Sequence, residues 1–375
     1  MRFLTTAAIL VAVLLAVSCE GRSAATVPPA CSGLHRPGVP LAFAPPRRPT
    51  AARARCIGAQ YTAVIGPQSW GTLPRLIRKP YSGVAAWQER SLLYACDHCG
   101  LAGFGLTWVR AHHPGWILHS PQGAEVHPAE HADWALLNFS NPKYQYAWAL
   151  HVRKSLAAGG WTGVDVIDAD NDPAWSDTPI DPATGEPMTE AHRSHYLAQA
   201  LTLVRAALKI QGYSLLADNG PPAIVSFDQV NSTDAVILRD GFGRLYGDAW
   251  ETELSFYRHV GGWESGTYVA DRPGLSRAQM LFGLASFLLV AIPRDSAYVA
   301  PTGAGSPLYA IDTGTAPTTP PVKHGDVWTR TYPNAAVAVN PSDFPATVAL
   351  GSAGHVTLGP RSAAIEAGGH LLTSG

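Results

Sequence analysis

Short apolar runs alternate with longer amphipathic stretches along most of the chain. Runs at Tyr61–Ile65, Ser91–Ala95, Trp134–Phe139, Val164–Asp168, Ser214–Ala217, Ala235–Leu238, Thr267–Ala270 and Phe287–Ile292 predict eight strands. Helical periodicity is clearest at Lys143–Ala158, Thr189–Ile210, Ala249–His259 and Arg277–Leu284. Strands that are short, apolar on both faces and separated by helices belong to a parallel sheet covered on both sides. Eight of them suit an α/β fold, a (β/α)8 TIM barrel, expected over residues 56–305. A Pro/Thr-rich connector, 306–326, leads to Val327–Thr331, Ala335–Val339, Ala346–Leu350 and His355–Leu358. These alternate apolar and polar positions between turn residues and predict a small β domain over 327–375.

The amino terminus follows a different pattern. Arg2 precedes an apolar run from Phe3 to Val17 and then small residues, which is the signature of an export signal over 1–19. Ala16-Val17-Ser18-Cys19 resembles a lipobox, so Cys19 is expected to carry a lipid that tethers the chain to a membrane without spanning it. The alternative is ordinary cleavage and an extracellular protein. Residues 20–55 repeat Pro with Arg and small residues and read as an extended spacer. Removing Cys19 from the five cysteines leaves Cys31, Cys56, Cys96 and Cys99, an even set suited to disulfides in an oxidising compartment. The favoured pairing is Cys31–Cys56 with Cys96–Cys99. The rival is zinc on Cys96-Asp97-His98-Cys99, with His112 and His113 downstream.

Composition narrows the function classes. In 375 residues, Lys+Arg 27 and Asp+Glu 28 give a formal charge of −1, without the basic surplus that phosphate neutralisation requires. Nucleic acid is excluded on that ground. From residue 20 onward no stretch is apolar for the roughly 18 residues of a spanning helix. Nucleotide-binding loops and metal-binding helix motifs are missing as well, so neither cofactor nor metal is expected, and a monomer is. The 11 Trp are many for a chain this neutral and invite a search for stacking surfaces.

Acids at the carboxyl ends of buried strands need a reason, because that rim is where barrel enzymes build their sites. Two strands qualify: Gly163-Val164-Asp165-Val166-Ile167-Asp168-Ala169-Asp170, and Asp234-Ala235-Val236-Ile237-Leu238-Arg239-Asp240. Carboxylates facing across a sugar-sized gap protonate a leaving oxygen and stabilise or attack an oxocarbenium-like centre. Asp168 and Asp240 are the leading catalytic candidates, with Asp165 as the third. Strand parity sends Asp165 into the lumen, since the helix layer offers it no water. Asp170, Asn219, Tyr268, Asp271 and His113 are candidate substrate contacts. Trp175 and Trp250, with Trp263, follow the acid-ended strands and are candidate stacking platforms for the C–H face of a sugar. The competing account of each Asp is a helix cap, and of each Trp a core residue.

Several segments also resemble a known family in their order. His113-Pro114-Gly115-Trp116 is followed by Asn141-Pro142-Lys143-Tyr144 and Gly163-Val164 with its acidic strand end. Near the carboxyl terminus stand Thr329-Arg330-Thr331-Tyr332-Pro333-Asn334 and Val337-Ala338-Val339-Asn340-Pro341. Over residues 57–360 the chain resembles the glycoside-hydrolase-like barrels of exported bacterial proteins. The resemblance implies a barrel that acts on glycosidic bonds of a carbohydrate through strand-end carboxylates. There are departures. The family aspartate falls at Ile167, flanked here by Asp165 and Asp168; Thr162 replaces an aspartate; and the later acid maps to Asp240, beside Arg239. The alternatives to a hydrolase are a silent barrel that binds cell-envelope polysaccharide and a structural lipoprotein.

Overall fold

The computed structural model describes residues 39–45, 47–169, 174–218, 232–239, 241–262, 266–271, 274–292, 296–299 and 306–374. Its centre is a closed barrel of eight parallel strands: β1 (Leu41–Phe43), β2 (Ala63–Pro67), β3 (Ala85–Arg90), β4 (Gly163–Val166), β5 (Ser214–Asp218), β6 (Ala235–Arg239), β7 (Gly266–Ala270) and β8 (Ala297–Val299). β8 pairs back onto β1, Leu41 opposite Tyr298. Around it lie α1 (Ala51–Gln60), α2 (Leu73–Arg78), α3 (Leu106–His112), α4 (Pro142–Gly159), α5 (Glu190–Lys209), α6 (Gly247–Gly262) and α7 (Arg277–Val290). The chain therefore folds as a TIM barrel followed by a small β domain. No helix among the described residues is long and apolar enough to cross a membrane.

The strands divide their residues by parity. Ala63, Ile65, Trp87, Leu216, Ile237 and Tyr268 fill the lumen. Their neighbours in sequence, such as Val64, Ala86, Leu215, Val236 and Val269, pack under the helices. Helix ends are punctuated by local chemistry. Asn141 caps α4 by accepting from Lys143 and Tyr144 amides, Pro142 supplies a preset φ, and Gly160 stops the helix at φ 76°. Ser276 and Gln279 form a capping box at the start of α7.

Three expectations need correction. The spacer over 20–55 is too long, because Leu41–Phe43 is the first barrel strand and α1 begins at Ala51. Pro40 and Pro45 flank that strand in sequence and disguise a short buried segment that needs no alternation. Ser91–Ala95 and Trp134–Phe139 contribute no barrel strand. Tyr94–Ala95 and Ala135–Leu136 pair antiparallel in a two-stranded ribbon outside the barrel, and the true β3 ends in the polar run Gln88-Glu89-Arg90. Phe287–Ile292 belongs mostly to α7, which is apolar on nearly every side because the β domain covers its outer face. The last strand is Ala297–Val299.

The β domain is a five-stranded antiparallel sheet, β9 (Val322–His324), β10 (Val327–Thr331), β11 (Ala335–Asn340), β14 (Ser362–Ala367) and β15 (His370–Thr373). A hairpin of β12 (Ala346–Ala349) and β13 (His355–Leu358) completes it. Arg330, on β10, fastens the sheet to the barrel. Its guanidinium donates to the carbonyls of Leu288, Leu289 and Ala291 at 2.7–3.2 Å and to Pro317 and Thr319 at 2.6 and 3.1 Å. Helix carbonyls at a carboxyl terminus have no partner within the helix, so a buried cation is well matched to them. Asn340 secures the far end, donating to Phe344 and Gly359 carbonyls at 2.8 and 2.9 Å. These two residues give the segments Thr329–Asn334 and Val337–Pro341 a structural meaning.

Candidate active site

The carboxyl end of the lumen is acidic on one side. β3 and β4 are in register with Glu89 opposite Asp165, and β4 and β5 with Asp165 opposite Leu216. Leu216 is lumenal, so Asp165 and Glu89 share its face, and Asp218 follows two residues further along β5. Three neighbouring strands thus place three acids on the lumenal face. Asp165 is fully enclosed, Asp218 nearly so, and Glu89 half-open.

Beneath them lies an aromatic floor. Trp87 precedes Glu89 by two positions, and its indole N–H donates across the barrel to Tyr268 Oη at 3.1 Å. The rings meet edge to face at 84°. Gly163 makes this possible: a Cβ there would lie 2.5 Å from the Trp87 ring and 2.4 Å from the Ser214 carbonyl. Tyr268 is therefore lumenal, as a substrate contact requires, and forms part of the floor.

Asp168 lies at the rim with its oxygens turned to the end of β3. It accepts from the Leu92 and Leu93 amides, both at 3.1 Å, and from the Ser91 hydroxyl. Trp148 Nε1 holds the Ser91 carbonyl at 2.8 Å and Tyr144 Oη donates to Leu92 O. Asp168 thus fixes the turn that leaves β3. Burial pushes its carboxyl up to about 6 from 3.8, against the pull of its three donors. A carboxyl raised in the folded state stabilises fully below its unfolded value and loses that contribution as pH rises through the folded one. We predict that Asp168 favours folding by about 2–3 kcal/mol at pH 3.5 relative to pH 7. Chemical denaturation of wild type and Asp168→Asn across that range checks it: the stability difference between them should change in that sense, and a constant difference would refute the shift.

The remaining sequence candidates separate. Asp271 directly follows β7 but leaves the lumen, accepting from the Gly243 amide at 2.8 Å and from Tyr298 Oη on the helix side of β8. Trp250 is fully buried, donates to Ser286 Oγ at 2.9 Å and packs against Phe282 and Trp328, so it offers no face to a sugar. Trp175 is half-buried, donating to Tyr94 Oη at 2.9 Å with the Arg193 guanidinium 5.3 Å over its ring. His113 stacks on Trp116 at 3.9 Å. Asp240, Asp170, Asn219, Trp263, Cys19 and Cys31 lie outside the described residues. Cys56 is buried at α1. Cys96 and Cys99 form a disulfide with Cα atoms 5.9 Å apart, which removes the zinc alternative for this pair. Among the described residues, no group of three His, Cys, Asp or Glu is placed to hold a metal ion.

Glu89 is the acid that sequence reading missed. Its signal was the polar run Gln88-Glu89-Arg90, which looked foreign to a buried strand. Gln88 and Arg90 point outward and satisfy each other there: Arg90 donates to Gln88 Oε1 at 3.1 Å, to Ala102 O at 3.0 Å and to Ser155 Oγ at 3.0 Å.

Neither a family model nor a curated protein matches the chain. Solved structures do. A cycloalternan-degrading enzyme from Trueperella pyogenes superposes with TM-score 0.50 at 11% identity, covering 71% of this chain and 44% of that one. A maltogenic α-amylase from Thermotoga neapolitana gives TM-score 0.50 at 11% identity, over 89% of this chain and 97% of the amylase. An α-galactosidase from Geobacillus stearothermophilus in complex with raffinose gives 0.50 at 10%, over 90% and 57%. The chain spans less than half the length of the first of these. At such identities the likeness establishes the fold.

Proposed function

We propose that this protein is a glycoside hydrolase acting on an oligosaccharide or polysaccharide. The observation that carries the reading is the lumenal acidic side of the barrel mouth above the Trp87–Tyr268 floor. An aromatic floor suits the C–H face of a pyranose, and carboxyl groups suit both proton transfer to a leaving oxygen and stabilisation of the charge left at C1. In this reading Asp165 of β4 is one carboxyl group of the site, and Asp240, next in sequence after β6, is proposed as the other. Asp168 supports the rim that the substrate crosses. Carboxyl groups 5–5.5 Å apart would retain anomeric configuration and 6.5–9.5 Å would invert it. The fold shared with the amylase and the α-galactosidase supports the reading. We further propose export by residues 1–19 and tethering through a lipid on Cys19.

A second reading has a specific observation in its favour. Asp168 is engaged by the β3 turn and Asp165 is closed to solvent, as in a barrel that binds polysaccharide without cleaving it. One experiment separates the two. The purified protein is incubated with a panel of bacterial and plant polysaccharides, with reducing ends and retention on immobilised polymer both measured. Hydrolysis is expected, reduced at least ~100-fold in Asp240→Asn and in Asp165→Asn with folding intact. Retention without product would replace the hydrolase by the binding protein. Neither retention nor product would sink both.

A further inference from the structure

We propose that the end of the barrel opposite the mouth, where α2, α4 and α5 terminate, is a docking surface for an anionic lipid bilayer. The proposal goes beyond the hydrolase reading and does not depend on it.

Strand direction defines the two ends. Each helix finishes where the next strand starts, so the carboxyl ends of α2, α4 and α5 gather beside the first residues of β3, β4 and β5. The register holds these starts together, with Ala85 opposite Ala63, Gly163 opposite Trp87 and Ser214 opposite Gly163. The chain also enters β1 from this end. Acids are sorted between the two ends. No Asp or Glu occurs in residues 21–88, 142–164 or 191–217, although the whole chain is balanced at Lys+Arg 27 and Asp+Glu 28. The mouth end carries Glu89, Asp165 and Asp218, and the loop before α5 adds Asp177, Asp181 and Glu186.

Some cations at the docking end serve the fold itself. Arg75 donates to Ala157 O at 2.8 Å, and Arg78 donates to Gly160 O at 3.1 Å and Val84 O at 3.2 Å. Asp234, an acid that does lie at this end, is held by Arg205 at 2.8 Å. Lys79 follows α2, Lys154 lies in the last two turns of α4 and Lys209 closes α5. All three are exposed, and none is ion-paired with a described residue. Next to Lys209, Ile210 is 78% exposed, the most of any large apolar side chain among the described residues. Gly212, at φ 75°, turns the chain just after it toward β5.

Lysines around an exposed apolar tip match the two layers of a bilayer surface: the ammonium groups meet anionic headgroups and the isoleucine enters the acyl boundary. A soluble polyanion would use the lysines and leave Ile210 in water, so the bilayer is the better fit. The acidic mouth is repelled by the same surface, which turns it away from the membrane and leaves it open to substrate. The lipid proposed on Cys19 would be twenty residues before Val39. That length reaches about 65–70 Å at most, which keeps the docking end close enough for weak contacts to be occupied.

The test uses the chain from residue 20 onward, which keeps every described residue and carries no lipid. Cosedimentation is measured with phosphatidylcholine vesicles, alone or with one third phosphatidylglycerol. Binding should be at least ~10-fold tighter on the anionic vesicles and should weaken as salt is raised. Lys79→Glu and Lys209→Glu should each weaken it at least ~fivefold, and Ile210→Ser about threefold. Lys143→Glu makes the same charge change at the other end of α4, and should alter binding by less than about twofold. Equal losses for Lys143→Glu and Lys209→Glu would overturn the docking face, since overall charge would then explain binding. Binding to soluble polyphosphate as tight as to vesicles, with Ile210→Ser silent, would replace the bilayer by an anionic polymer. No preference for anionic vesicles would sink the proposal whether or not Cys19 carries a lipid.

Discussion

Arg330→Ala is expected to cost about 3–5 kcal/mol and to loosen the β domain from the barrel. The side chain is almost entirely buried, and its five hydrogen bonds all end on carbonyls: three at the end of α7 and two in the connector. Hydrogen bonds from a charged donor contribute about 1.5–3 kcal/mol each, though they are not additive here because one rigid fork makes all of them. Truncation leaves the α7 carbonyls buried and unsatisfied, which is the larger part of the cost. Tyr332 Oη also donates to Leu288 O, so part of the seam survives. Arg330→Lys should recover only a fraction, since an ammonium has three donors and no planar fork. Denaturant unfolding with limited proteolysis checks this: the variant should show an early cleavage between barrel and β domain. As a contrast, Arg110 pairs with Glu125 at 2.6 Å with both side chains partly in water, and Arg110→Ala should cost under 1 kcal/mol. Comparable costs for the two would mean that the Arg330 contacts are not what joins the domains.

The barrel was legible where burial is uniform. Val164–Asp168, Ser214–Ala217, Ala235–Leu238 and Thr267–Ala270 read as strands because helices cover their outer faces and side chains fill the lumen, leaving apolar runs. It was illegible where that uniformity fails. β3 carries Gln88 and Arg90 outward into a hydrogen-bonded knot with Ser155, and Glu89 inward to the mouth, so its second half resembles a surface loop. β1 and β8 are three residues each, too short for any pattern. α7 has no polar face because the β domain supplies what water would have supplied.

The same physics divided the candidate site. Parity alone sends Asp165 inward, and the register bears that out. Parity also sends Asp271 outward, as residue 270 is lumenal, yet an acid at a strand end looks the same in sequence whichever way it turns. Asp168 illustrates the third outcome. Its partners lie 75 to 77 residues earlier, at the end of a strand whose position was not foreseen. The Trp excess divides likewise: Trp70, Trp148 and Trp250 are fully buried, whereas Trp134 and Trp175 remain half-open on the loops above the rim.

Gly283→Ala is where local propensity and tertiary geometry give opposite signs. Gly283 lies inside α7, and alanine there should gain about 1 kcal/mol from helix propensity. A Cβ at that position, however, would stand 1.9 Å from Asp271 Oδ2 and 2.9 Å from its Cγ. The carboxylate cannot step aside cheaply, because Gly243 N donates to one oxygen at 2.8 Å and Tyr298 Oη to the other. Gly241 and Gly243 crowd it too: Cβ atoms there would approach Asp271 Oδ1 to 3.0 and 3.1 Å. Overpacking of this kind costs about 1–3 kcal/mol, and dislodging a buried carboxylate from its donors adds a similar amount. A net loss of about 3–4 kcal/mol is therefore expected, against the propensity gain. The consequence reaches the mouth of the barrel. Gly241 N donates to Ala270 O at 3.0 Å, and together with the Gly243–Asp271 bond it ties the turn just after position 240 to the end of β7. Gly283→Ala should accordingly lower turnover further than its folded fraction explains. The control is Asp271→Ala, which removes the obstacle while losing its own bonds. On that background Gly283→Ala should cost little or stabilise, giving a coupling of more than about 2 kcal/mol in a double-mutant cycle. Additive effects would show that the carboxylate does not occupy the space glycine leaves.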